Sequence, residues 1–126
     1  MKFANEKRSG TRIPFQTTTE LISSEGRQIF CTSQNISLSG VLLNVDEILT
    51  IDEIYQLKIK LGLSCLNEPV VILIQGRVVR QKSADVAFKF DSMDFDSYEH
   101  LKNLLKANAD GIPGLVDEVE ATKWPM

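Results

Sequence analysis

Two short polar patterns in this sequence hold residue types that can bind a compact anion. The first, Arg8-Ser9-Gly10-Thr11-Arg12, sets two guanidinium groups four positions apart. The second, Asn35-Ile36-Ser37-Leu38-Ser39-Gly40, gathers an amide, two hydroxyls and a glycine. A guanidinium carries a rigid fork of donors that pairs bidentately with phosphate, and its plane stacks on a base; lysine reproduces neither geometry. A carboxamide offers an acceptor oxygen, and serine adds a hydroxyl. Glycine lets a planar group approach the backbone closely. Each pattern alone is weak, because paired arginines are commonly solvated and Asn-Ser-Gly segments are common turn chemistry. Both together, in this order, arise by accident on the order of once in a hundred chains at ordinary residue frequencies.

The charge distribution points the same way. Residues 1–12 carry Lys2, Lys7, Arg8 and Arg12 against a single acid, Glu6, while the whole chain has a net charge of -3. A short cationic arm on an acidic body suits a compact anionic ligand. Duplex binding draws on extended basic surface, so neither DNA nor RNA is an expected partner.

Material for catalysis is thin. His100 is the single histidine, and it falls on a predicted helix as a surface or structural residue. Asp91, Asp94 and Asp96 cluster at that helix's start, where capping and the helix dipole account for them. No nucleophile elbow, zinc-protease helix, phosphate loop or dinucleotide fingerprint is present. A small enzyme or a flavin-type split barrel therefore lacks its nucleophile or phosphate loop, and no metal or cofactor is expected. Cys31 and Cys65 stand apart without a CxxC or paired histidines, which reads as two buried or semi-buried thiols in a reducing compartment. The longest apolar run, Val70-Val71-Ile72-Leu73-Ile74, is too short to cross a bilayer. The N-terminus lacks the apolar segment of a secretory signal. A cytoplasmic location without membrane insertion is expected.

The elements that must position these residues are mostly strands. At 126 residues the length suits one domain, and 43% hydrophobic residues suffice for a core. Phe15 to Ile22 is rich in β-branched residues and stops at the turn Ser24-Glu25-Gly26. Arg27 to Thr32 follows at hairpin distance, then Gly40 to Val45. In Tyr55 to Leu61 four apolar residues alternate with three polar ones. Val70 to Arg80 is a longer strand with Gly76 marking a bulge or bend, and Val86 to Phe90 alternates again. The period then changes. Phe95, Tyr98, Leu101, Leu104 and Leu105 fall at helical spacing as core-facing positions, with Asp94 or Ser92 as cap and Gly111-Ile112-Pro113-Gly114 as stop. Leu115 to Met126 is acidic and reads as a short helix or a loose tail, with Trp124 docking on the barrel or on a partner. Six short strands and one amphipathic helix predict a mainly β fold, a six-stranded antiparallel β-barrel with a C-terminal α-helix. The expected layout is one domain: a flexible arm over 1–12, the barrel over about 13–91, the helix over about 94–108 and the acidic tail over 111–126.

At this point the sequence resembles the PilZ family of cyclic di-GMP receptors. The likeness rests on RxxxR at Arg8 to Arg12, the downstream [D/N]xSxxG at Asn35 to Gly40, the six-stranded split barrel and the helix, over roughly residues 6 to 106. It implies that Arg8 and Arg12 contact guanine and phosphate, and that Asn35, Ser37 and Gly40 line the barrel beneath the other guanine. Ser39 and Lys7 are possible additions; the position of Lys7, just before the first arginine, bears on whether one or two ligands bind. One departure is Asp85, where members of the family often carry a glycine before the valine. The chemistry agrees, since the guanine O6/N7 edge presents two adjacent acceptors to a guanidinium fork. A further protein partner would carry the output, and a monomer or weak dimer is expected. The alternative is a domain of the same shape that serves as a protein-interaction adaptor and binds no nucleotide. Arg77 and Arg80 are candidates to extend the phosphate field, but ordinary surface charge is the expected role for them.

Overall fold

The computed structural model describes residues 11–63, 66–108, 112 and 114–121. Among these the chain forms β1 (Ile13–Pro14), β2 (Thr18–Ile22), β3 (Gln28–Ile36), β4 (Gly40–Asn44), β5 (Ile54–Leu63), β6 (Pro69–Lys82) and β7 (Asp85–Met93), then α1 (Phe95–Ala107) and α2 (Leu115–Ala121). Every strand pairing is antiparallel. The order β3-β2-β5-β6-β7-β4 closes on itself through β4 and β3, giving the six-stranded barrel that the alternation predicts. Closure leaves this sheet without a bare edge, which removes the template for unwanted strand addition.

The first predicted strand, Phe15 to Ile22, begins only at Thr18 as β2, and the two-residue β1 precedes it. β1 pairs with the end of β3, β2 pairs with its beginning, and Ser33 fills the gap between them. Its buried hydroxyl donates to the Phe15 carbonyl at 2.6 Å and accepts from the Thr17 N–H at 2.9 Å. A side chain thus supplies bonds that a continuous ladder would have made. Gly76 lies at a register shift between β6 and β7, as its place in the strand predicts. Asp85, the departure from the family pattern, opens β7 in ordinary register opposite Lys82 and Asn44.

The inward faces form one core. Leu21, Leu57, Ile59, Ile72, Val78, Val86 and Phe88 line it, and Tyr55 meets Phe88 edge to face. Cys31 belongs to this core, and burial pushes its thiol up to about 11, so it stays protonated and unreactive at neutral pH. Cys65 lies outside the described residues.

Asp94 caps α1 by accepting from the Ser97 N–H at 2.8 Å, and that bonding holds its carboxyl below the usual range. Ser97 in turn accepts from the Leu73 N–H at 3.0 Å, fastening α1 to β6 where β7 no longer covers it. Asp91 does not belong to the cap: it lies in β7 and pairs with Arg77 at 3.0 Å. His100 is exposed on α1. The helix buries Ser97, Tyr98, Leu101 and Leu105. Phe95, expected to face the core, is 52% exposed. It lies roughly 100° round the helix from the centre of the buried stripe, at 3.6 residues per turn. The helix ends earlier than its glycines suggest. Asn108 caps it, donating from its side chain to the Leu104 carbonyl at 2.8 Å.

The segment 115–121 resolves the choice between helix and tail in favour of a helix. Leu115 and Val119 of α2 are fully buried in the core, and Lys106 of α1 pairs with Glu120 at 2.7 Å. Trp124 lies outside the described residues. Among the described residues no helix is long and apolar enough to cross a membrane.

Candidate functional site

Asn35 reaches the outer surface of the barrel because β3 carries a bulge. Ser33 and Ile36 both face the core, an interval of three where strict alternation would give two or four. The register shift between Ser33 and Asn35 absorbs the extra residue and turns Asn35 outward. There its Oδ1 accepts a hydrogen bond from Nη1 of Arg12 at 2.9 Å. The two polar patterns of the sequence therefore meet in space. Arg8 and Lys7 lie outside the described residues.

The turn from β3 to β4 is held by Ser37, which is 1% exposed. Its hydroxyl accepts from the N–H groups of Ser39 and Gly40, each at 3.2 Å, and its own N–H donates to the Gly40 carbonyl at 2.9 Å. Ser39 continues the brace, its carbonyl accepting from the Phe90 N–H at 2.8 Å. Ser37 thus gives the turn its shape, with its hydroxyl directed into the turn. Gly40 answers a packing demand. A Cβ there would stand 2.4 Å from the Phe88 carbonyl oxygen, inside any tolerable contact, so strands β4 and β7 close only over a glycine.

At the end of the same hairpin away from this turn, where Thr32 pairs with Asn44, the outer face of β3 and β4 carries a polar concavity of about 500 Å³ lined by Gln16, Thr32, Ser33, Gln34, Asn44 and Asp85. The amide of Gln34 donates to Asp85 across it at 2.6 Å. The arm is also tied to the C-terminal helix. Glu118 of α2 accepts from the Thr11 N–H at 2.7 Å and from the Thr11 hydroxyl at 2.6 Å, one residue before Arg12. That tether escapes sequence reasoning, since nothing local links Thr11 to a helix 107 positions away.

A second concavity of about 480 Å³ opens on the outer face of β2 and β5, lined by Thr18, Glu20, Phe30, Lys58, Lys60, Val71 and Leu73. Phe30 is 68% exposed there. In the barrel's ring order this face stands across from β7 and β4. Among the described residues no group of three or more His, Cys, Asp and Glu side chains is gathered as a metal site would require.

Comparison with known proteins fits this geometry. The family model for the PilZ domain matches residues 6–107, and the chain belongs to that family. No curated protein sequence matches the chain significantly. Among solved structures, the inhibitor of motility MotI/DgrA of Bacillus subtilis superposes with a TM-score of 0.68 at 16% identity, over 85% of this chain and 54% of that protein. The chain thus spans about half of its length. The PilZ domain of CeSA from a cellulose-synthesizing bacterium gives 0.59 at 13% identity, covering 78% of this chain and 97% of that one. The PilZ domain of YcgR from Escherichia coli, solved with c-di-GMP, gives 0.58 at 11% identity, covering 83% and 96%. These likenesses establish the fold.

Proposed function

We propose that this PilZ domain is a cyclic di-GMP receptor that holds its ligand between the Arg8–Arg12 segment and the outer barrel surface at Asn35, and that it signals through a partner protein without catalysing a reaction. The observation that carries this reading is the Arg12–Asn35 hydrogen bond at 2.9 Å, which joins the two motifs at one point of the surface. In that arrangement the Asn35 oxygen accepts from one arm of the guanidinium. A guanine exchanges both partners at once. Its O6/N7 edge, or a phosphate, takes the fork of Arg12, and its N1–H and N2–H donors take the freed amide oxygen. Arg8 supplies the second fork. Ser37 and Gly40 hold the turn in the shape that presents Asn35, and Ser39 borders it.

The same geometry supports a route for output. Thr11 is bonded to Glu118, so a ligand that shifts Arg12 also pulls on α2, and the apolar side chains Leu115 and Val119 travel with it. Such a coupling needs a differential contact between the two states, which the exchange at Asn35 provides.

Titration calorimetry with cyclic di-GMP, with GTP and cyclic di-AMP as controls, tests the reading: heat is expected with cyclic di-GMP alone. Hydrogen exchange on the same samples should show gained protection in residues 1–12. The second reading, an adaptor that binds no nucleotide, draws on the exposed Phe30, Val71 and Leu73 around the face of β2 and β5. Absence of heat with every nucleotide would favour it.

A further inference from the structure

We infer that the outer face of β2 and β5 docks a second copy of this chain, in a closed pair whose two-fold axis runs along the strands. None of the residues involved belongs to either polar motif, so the pairing is independent of cyclic di-GMP. It gives the face invoked by the adaptor reading one definite occupant.

Strand register supplies the first observation. Glu20 pairs with Phe30 on one side and with Lys58 on the other, and Lys58 pairs with Leu73. One row across β3, β2, β5 and β6 therefore reads Phe30, Glu20, Lys58, Leu73: apolar, acid, base, apolar. Each of the four lies between two buried chain neighbours, so the pleat turns all four outward. Phe30 is 68% and Leu73 40% exposed, and both ends of the row present apolar surface to solvent.

Such a row is self-complementary. Half a turn about an axis lying along the strands, between β2 and β5, reverses its order on the facing copy. Phe30 then stands over Leu73 and Glu20 over Lys58, and each contact occurs twice. The row to one side, Gln28, Ile22, Gln56 and Gln75, is uncharged. On the other side Thr32 pairs with Thr18 and Lys60 with Val71, so across the axis Thr18 opposes Lys60 and Thr32 opposes Val71. No like charges meet.

The charged groups are available for this. Glu20, Lys58 and Lys60 have no ion pair among the described residues, although Glu20 and Lys58 are neighbours on the sheet. Gln28 holds the Glu20 carboxylate in place, donating to it at 2.5 Å. Sheets stacked face to face lie about 10 Å apart and fill the gap with interleaved side chains. The concavity of about 480 Å³ on this face gives the opposing Phe30 ring room to enter. An anionic membrane fits less well, because Glu20 stands at the centre of the patch. Three strand spacings and the five residues of β2 give a patch of roughly 14 by 17 Å. That is below the roughly 800 Å² per partner of a standard interface, which makes the pair weak and concentration-dependent.

Sedimentation equilibrium of the full chain without nucleotide, from about 1 μM to about 1 mM, is the test. The mass should rise towards that of two chains and no further. Phe30→Ser, Glu20→Lys and Lys58→Glu should each weaken association by about tenfold or more. Lys89→Glu makes the same charge change on β7, outside this face, and should stay within about twofold of the unaltered protein. The deciding sample mixes Glu20→Lys with Lys58→Glu. Each variant alone brings like charges together twice, whereas in the mixed pair both contacts again join opposite charges. Association of the mixture should return to within about threefold of the unaltered protein. A single chain mass at every concentration overturns the inference, as does growth beyond two chains. So does a pair that all three variants leave intact, or a mixture that fails to recover. None of these outcomes touches the receptor reading, which the cyclic di-GMP titration decides separately.

Discussion

Two concavities of nearly equal volume lie on different parts of the outer surface of one closed sheet, and they differ in everything that matters for binding. The face of β3 and β4 presents amides and a carboxylate beside an arginine that is already hydrogen-bonded to the sheet. The face of β2 and β5 presents Phe30, Val71 and Leu73 with two lysines, in strands whose alternation runs without a shift between Lys58 and Lys60. Size does not separate them. What separates them is the bulge in β3, which brings Asn35 out of a position that strict alternation would bury. A regular pleat makes a surface that apolar partners can cover; an interrupted one can present a chosen polar group at a chosen point.

The sharpest way to break this contrast is to remove one side chain from each face. Arg12→Ala should weaken cyclic di-GMP binding by ten- to a hundredfold, since a charged hydrogen bond contributes about 1.5–3 kcal/mol. Phe30→Ser should leave affinity unchanged in the same calorimetric titration. Comparable losses from both would mean that the faces do not differ as argued.

Next in size is Gly40→Ala. Its Cβ would meet the Phe88 carbonyl oxygen at 2.4 Å, a backbone atom that cannot rotate away. Forcing β4 and β7 apart should lower stability by about 1–3 kcal/mol in urea unfolding. An unchanged midpoint would remove the packing account of this glycine.

A smaller effect, of opposite sign, lies beneath the other face. Thr19 is fully buried on β2, and its hydroxyl has no hydrogen-bond partner among the described residues. Thr19→Val should raise stability by about 1 kcal/mol by removing an unsatisfied polar atom at nearly constant volume. Loss of stability instead would point to a bonded hydroxyl.

The mildest test is alkaline. The Cys31 thiol is raised by burial from 9.0 to about 11, and Tyr55, buried and bonded to Glu53, from 10.0 to about 12. In the unfolded chain both groups lose their protons first, so stability is intact below pH 9 and declines as pH rises through 11 and 12. Cys31→Ala should flatten the decline between pH 9 and 11, as read from thermal midpoints. No change in that slope would contradict the burial of the thiol.

Much of this could be read along the chain. The alternation in Tyr55 to Leu61 names its buried face, and the period shift after Phe90 announces α1. Asp94 is recognisable as a cap, and the family is recognisable from Arg8 to Arg12 and Asn35 to Gly40. These are local facts: each depends on residues within one turn of helix or a few pleats. The docking of α2, the bond from Glu118 to Thr11 and the exposure of Phe95 were not legible, because they depend on which surfaces meet after the chain has closed. Nor could the sequence say that Phe30 shares a row with Leu73, or that a bulge turns Asn35 outward. A bulge exists only relative to the strand beside it, so which face a residue presents is decided by pairing between distant segments, and only the tertiary structure fixes that register.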